Sequence, residues 1–176
     1  MASRQDIVNQ ALWEANYDHW KPTDDEMAEI FTTAGLNAPS KSDLKKFRTA
    51  PGNISINGQS IAWCGIFATY VLKKWGGIDV KWSNGGIVGS GVNKTWNRDG
   101  MRPGDVAVVR GKLDSKGRGV HHHFIITAID YAANTMESVD GNSTNNEIVW
   151  HTNKHISYTG ADKDSYTPYC HYKLKI

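Results

Sequence analysis

Apolar positions in the first third of the chain recur at helical intervals. Ile7, Val8, Ala11, Leu12 and Ala15 follow i, i+4 spacing, and Ser3 with Asp6 has the spacing of a capping box, so a helix is expected from about residue 3. Lys21-Pro22-Thr23-Asp24-Asp25-Glu26 supplies a proline, a cap and first-turn acids ahead of Met27, Ile30 and Phe31. That pattern predicts a second helix of about ten residues, ended by Gly35 and Pro39. Ser42-Asp43-Leu44 opens a short third helix before the turn-rich Pro51-Gly52-Asn53 and Asn57-Gly58. From Ile61 to Trp75, Ile66, Phe67, Tyr70, Val71 and Trp75 keep the helical period until Gly76-Gly77 stops it, which predicts a central, largely buried helix.

The stretch from Gly76 to Gly104 is glycine-rich and too irregular to assign. After it the period shortens. Runs at 105–109, 124–129, 135–139 and 170–174 are short, β-prone and bounded by Gly, Asn and Asp. Helices first and strands later describe an α+β domain with an antiparallel sheet.

Composition refines this picture only a little. A chain of 176 residues with 39% apolar and 22% charged residues is an ordinary globular domain, able to bury a core without a metal or disulfide staple. The formal charge of +2 is scattered, so nothing demands nucleic acid. No run of about eighteen apolar residues exists to span a membrane, and the N-terminus lacks the apolar core of a signal peptide. Cys64 and Cys170 lie far apart, without metal or disulfide spacing. Cys170, in the alternating run 169–174, reads as a small buried hydrophobe.

Cys64 reads differently, because it falls in Ala62-Trp63-Cys64-Gly65-Ile66-Phe67, where the buried helix begins. The positive end of the helix dipole and unpaired N–H groups there favour thiolate over thiol, and the same N–H groups could hold an oxyanion. A base has to come from elsewhere. Lys116-Gly117-Arg118-Gly119-Val120 delivers His121-His122-His123 onto the apolar strand at 124–129. Strand alternation puts His121 and His123 on one face and His122 on the other, so only one of His122 and His123 is expected to share the face that meets Cys64. Asp140 and Asn142, in Val139-Asp140-Gly141-Asn142-Ser143 at the close of the next β run, are candidates to orient the imidazole.

Four segments in this order carry a resemblance: Trp63-Cys64-Gly65-Ile66-Phe67, Arg102-Pro103-Gly104-Asp105-Val106-Ala107-Val108, His122-His123-Phe124-Ile125-Ile126-Thr127 and Val139-Asp140-Gly141-Asn142. Together they resemble the CHAP family of cysteine, histidine-dependent amidohydrolases and peptidases, and its NlpC-type papain-like relatives, over about residues 59 to 145. The resemblance implies a papain-like α+β fold in a single domain, 1–176, with a helical part at 1–58 and the catalytic core at 59–176. It implies a peptidoglycan hydrolase, an amidase or endopeptidase, that needs no metal or other cofactor. Its site would be Cys64, a histidine and Asp140 or Asn142. Matching Ile125-Ile126-Thr127 to the family's strand favours His122 over His123. Gln59, five residues before the cysteine, stands where papain-like enzymes carry a side-chain oxyanion donor.

There are departures from the pattern. The family's small residue two after its histidine is here Phe124 if His122 is the base or Ile125 if it is His123, Asp140 stands where glutamate is commoner, and the first sixty residues match no part of it.

Other readings remain open on the residues alone. The histidine run could bind zinc with His151, His155 or His171, and Asp140 and Asn142 could be ordinary turn residues. Of the seven tryptophans, Trp13, Trp63 and Trp75 fall on apolar helix faces and are expected in the core. Trp82, Trp96 and Trp150 lie in or beside loops and could line a groove, which suits a non-catalytic wall-binding module. A papain-like effector acting on a host-protein amide is a third possibility. For the hydrolase, the expected partners are peptidoglycan and an immunity or delivery-adaptor protein, with no nucleic acid and no stable membrane insertion. Without a signal peptide it would act in the periplasm or at the wall after lysin release or injection.

Overall fold

A computed structural model describes residues 2–49, 54–56, 59–96, 100–113, 119–143, 146–156, 165–166 and 168–176. The turns expected at 51–53 and 57–58 and residues 116–118 of the glycine-rich segment lie outside the described residues, as does the side chain of Gln59.

Helix α1 (Arg4–Glu14) starts at the expected capping box: the Asp6 N–H donates to the Ser3 hydroxyl at 3.2 Å, and the Ser3 N–H donates to the Asp6 carboxylate at 2.8 Å. Helix α2 (Asp24–Thr33) repeats the device with Thr23 and Glu26, and Gly35, at φ +90°, turns the chain away after it. Helix α3 (Lys41–Thr49) begins slightly ahead of the expected Ser42, because the Ser40 hydroxyl accepts the Asp43 N–H at 3.1 Å and so caps it.

The central helix α4 (Cys64–Lys74) is shorter than its apolar run. Ile61 belongs instead to strand β3 (Gln59–Ile61), which pairs with β2 (Ile54–Ile56). Every residue of α4 from Cys64 to Leu72 is buried. Such all-round burial needs neighbours on each side, and the sheet and the first helices provide them.

Among the described residues, seven strands form one sheet in the order β1-β10-β9-β8-β7-β12-β6, where β1 is His19–Trp20, β6 Val92–Thr95, β7 Val106–Leu113, β8 Gly119–Asp130, β9 Thr135–Ser143, β10 Glu147–Ile156 and β12 Pro168–Leu174. All these neighbours pair antiparallel, while β11 (Ser165–Tyr166) adds to β10 in parallel. The fold is α+β with a mostly antiparallel sheet. Strand β10 was absent from the sequence expectation, and so were β4 (Lys81–Ser83) and β5 (Gly86–Val88), a hairpin inside the unassigned glycine-rich stretch.

Alternation sorts the sheet into two faces. Val106, Val108, Ile125, Val139 and Tyr172 join one core with α4, Ile7 of α1, Met27 and Phe31 of α2, and Phe47 of α3. Ala107, Val109, Phe124, Ile126 and Met136 build a smaller core on the opposite face with Met101. The Pro-Gly-Asp-Val segment is a turn into β7. Its buried Asp105 accepts the Leu174 N–H at 3.0 Å and pairs with Arg4 at 2.7 Å, tying the first helix to the last strand.

Two glycines let α4 approach its neighbours, Gly141 the sheet and Gly65 the β4–β5 hairpin. A Cβ on Gly141 of β9 would stand 2.6 Å from the Phe67 Cβ, and one on Gly65 would stand 2.1 Å from the Trp82 ring. The helix start is thereby pressed into the mouth of β8 and β9.

Candidate active site

Cys64 is the first residue of α4 and is almost fully buried. Trp63, at the cap position, offers no side-chain hydrogen bond, so the first-turn N–H groups depend on other acceptors. Pairing between β8 and β9 runs from Asp130 and Thr135 to Ile125 and Val139. Just past its end the Cys64 sulfur meets the backbone of β8: the His123 N–H donates to Sγ at 3.5 Å, and the thiol reaches the His121 carbonyl at 3.8 Å.

This placement corrects one expectation. The sulfur contacts the backbone of β8 at His121 and His123, and both the His122 and the His123 imidazole act on it, although alternation sends them to opposite faces. Burial pushes the thiol up, but hydrogen bonds from His122 and His123 and their positive charge outweigh it and bring Cys64 down to about 6.

The two histidines have different company. His122 Nε2 lies 2.8 Å from Asp140 Oδ2, which leaves Nδ1 for the thiol. Burial pulls His122 down, but the bond and charge of Asp140, then those of Cys64, raise it to about 10. Asp140 is fully buried, which pushes its carboxyl up; His122, the charge of His151 and the Ser138 hydroxyl overcome this and hold it below the usual carboxylate range. The Ser138 hydroxyl donates to Oδ1 at 2.8 Å, and His151 Nε2 stands 3.4 Å from Oδ2. His123 is instead stacked on Tyr172 at 6.0 Å and meets the edge of Trp82 at 5.1 Å, with its buried Nδ1 lacking a partner among the described residues.

The structure therefore brings together Cys64, His122 and Asp140, with His123 beside them. Asp140 sits within β9 and not in a turn, and its carboxylate holds Nε2 of His122. Asn142, two residues on, has φ +57° where the β9–β10 register shifts, which places it on a bulge.

Sequence reasoning passed over Ser138 and considered His151 only as a zinc ligand. The signal for Ser138 was its position two residues before Asp140, on the same strand face. His151 becomes visible only through its pairing opposite Ser138. Among the described residues, no three His, Cys, Asp or Glu side chains are grouped so as to hold a metal ion.

A cleft of about 660 Å³ opens beside Cys64, lined on one side by the β4–β5 hairpin and including Trp82, His121 and His123. The expectation for the tryptophans divides. Trp63 is buried and Trp82 lines the cleft, but Trp13 is 60% exposed instead of in the core, meeting Trp75 in a T-shaped contact. Trp96 is exposed as well, while Trp150 packs on the main core.

No family model, no curated protein and no solved structure matches this chain.

Proposed function

We propose that this protein is a papain-like cysteine hydrolase that cleaves an amide bond of bacterial peptidoglycan, with Cys64 as nucleophile, His122 as general base and acid, and Asp140 as the group that orients it. The observation that carries the reading is the chain of contacts from a buried, helix-starting thiol through an imidazole to a buried carboxylate 2.8 Å away. Peptidoglycan as substrate rests on the resemblance of the four ordered segments to the CHAP and NlpC-type families.

In this mechanism the Cys64 thiolate attacks the amide carbonyl, and the unpaired N–H groups of the first turn of α4 receive the oxyanion. His122, held as imidazolium by Asp140, gives its proton to the leaving amine. The acyl group remains on sulfur. Water then attacks the thioester while neutral His122 takes its proton, and collapse releases the acid and regenerates the thiolate. Delivery to the wall as a released lysin or an injected effector, the latter with an immunity or adaptor partner, belongs to the same proposal.

One observation favours a second assignment of the base. His123, and not His122, lines the cleft that holds Cys64. It has no carboxylate partner among the described residues, so it would act without an orienter; this is why His122 is preferred.

The deciding experiment is digestion of purified peptidoglycan, with mass analysis of the fragments and Cys64→Ala as control. New free amines and defined fragment masses from the wild type alone identify the bond. Walls left intact by the wild type would sink the substrate assignment. Binding that survives Cys64→Ala without cleavage by either protein would point to a wall-binding module.

A further inference from the structure

The cleft beside Cys64 carries charge of one sign. Among its described lining residues, Lys81 is the one side chain with a fixed charge, Ser83 and Asn84 are polar, His121 and His123 contribute imidazoles, and no Asp or Glu is present. The start of α4 adds the positive end of a helix dipole to the same space. Lys81 forms no ion pair among the described residues. Asp79, the acid closest to it in sequence, is engaged by the Ser90 hydroxyl and feels the charge of Lys81 only as a minor influence after that bond.

The hairpin that presents Lys81 is fixed in place. Asn84 and Gly85 both have positive φ, +51° and +74°, the conformation of a two-residue type I′ turn. The Trp82 N–H donates to the Ala34 carbonyl at 2.9 Å, the Trp82 ring abuts His123, and the Lys81 Cβ lies where a Cβ on Gly35 would be only 3.3 Å away. Only the outer part of the lysine side chain is left to adjust to a ligand.

We propose that this cleft selects substrates carrying a carboxylate close to the scissile amide, with Lys81 as the cation that receives it and Ser83 and Asn84 as hydrogen-bonding rim. This inference rests on the reading of Cys64 as the nucleophile and gives its substrate a charge. Lys81 is a specificity-determining residue in this account and takes no part in proton transfer.

Two alkylating reagents of nearly equal size test it, iodoacetate, which is an anion, and iodoacetamide, which is neutral. Second-order rates are measured by mass analysis of the Cys64 peptide, so that Cys170 does not contribute. The ratio of the iodoacetate rate to the iodoacetamide rate cancels any change in thiolate population and reports the charge of the cleft. Lys81→Met should lower this ratio by about threefold to tenfold, the effect of one unit charge several ångströms away at a partly exposed site. Lys81→Glu should lower it further, Lys81→Arg should restore it, and added salt should shrink the wild-type preference. An unchanged ratio in Lys81→Met and Lys81→Glu overturns the proposal while leaving the nucleophile in place. Failure of Cys64 to react with either reagent overturns the nucleophile itself, and this inference with it.

Discussion

The two imidazoles that act on the Cys64 sulfur sit in opposite chemical settings. His122 faces a polar network of Asp140, Ser138 and His151, whereas His123 is packed between the rings of Trp82 and Tyr172. Adjacent residues of one strand must point to opposite faces, so a single-residue step in β8 separates an ionic environment from an aromatic one. A buried carboxylate makes the imidazolium form cheap on one side. Ring packing on the other side holds the shape of the cleft wall and, among the described residues, supplies no counter-ion. Chemistry should therefore fail when the first side is damaged, and stability or substrate fit when the second is.

The largest expected effect comes from removing what the two sides share. Cys64→Ala should lower hydrolysis by four or more orders of magnitude, since the covalent route is lost. The volume removed is small, so the thermal midpoint should stay within a few degrees. Substantial turnover by this variant, measured on purified walls, would end the nucleophile assignment.

Next comes the comparison itself. His122→Ala should cost three or more orders of magnitude in turnover with limited loss of stability, and should slow alkylation of Cys64 at neutral pH. His123→Ala should cost about 2–4 kcal/mol in unfolding free energy through the cavity left between Trp82 and Tyr172, with less than tenfold loss of rate. Denaturant titration beside steady-state kinetics separates the two. The reverse pattern would move the base to His123, and small equal effects from both changes would remove the hydrolase reading.

A third measurement sharpens the polar side. The thiolate–imidazolium pair is populated above the Cys64 value of about 6 and below the His122 value of about 10, so kcat/KM should rise through the first and fall through the second. The linked stability has matching signs. The His122 contribution is complete below its ordinary value of about 6.5 and is lost as pH rises through about 10. The lowered Asp140 contributes above the usual carboxylate range and loses that contribution as pH falls. Asp140→Asn removes the charge that holds His122 up, so the bell should narrow from both sides and its maximum fall by about two to four orders of magnitude. An unchanged alkaline limb would show that Asp140 does not set the state of His122.

How much of this was legible depended on whether the signal was local. The capping box at Ser3, the cap and acids at 23–26 and the apolar spacing of α4 are written in nearby residues, and the structure follows them, with α4 starting at Cys64 and not at Ile61. Cys64 at the helix start and His122 beside His123 were legible in the same way. Strand β10 was not, because Glu147–Ile156 mixes charged, polar and aromatic residues and acquires its strand character from pairing with β9. The joint action of both imidazoles on the sulfur was also hidden. It depends on where β8–β9 pairing stops, a tertiary event that alternation cannot express. Trp13 was misplaced for a related reason: it lies on the apolar pattern of α1, yet among the described residues its ring contact is a T-shaped one with Trp75, which leaves most of the indole exposed.

The smallest effect tests how far the polar side extends. The Ser138 hydroxyl acts through Asp140, donating to the carboxylate oxygen that does not hold the imidazole. Ser138→Ala therefore leaves the His122 bond in place and removes one of the groups that keep a fully buried carboxylate ionised. The carboxyl should rise toward its ordinary value, and stability should drop by about 1–3 kcal/mol because a buried charge loses a donor. Turnover should fall less than tenfold at neutral pH, where Asp140 remains charged, and more steeply than in the wild type as pH is lowered. That pH-dependent gap between the two proteins is the diagnostic, since a simple packing defect would lower both limbs of the profile alike. If Ser138→Ala matches the wild type across the acid limb, the site ends at Asp140 and the serine belongs to the sheet alone.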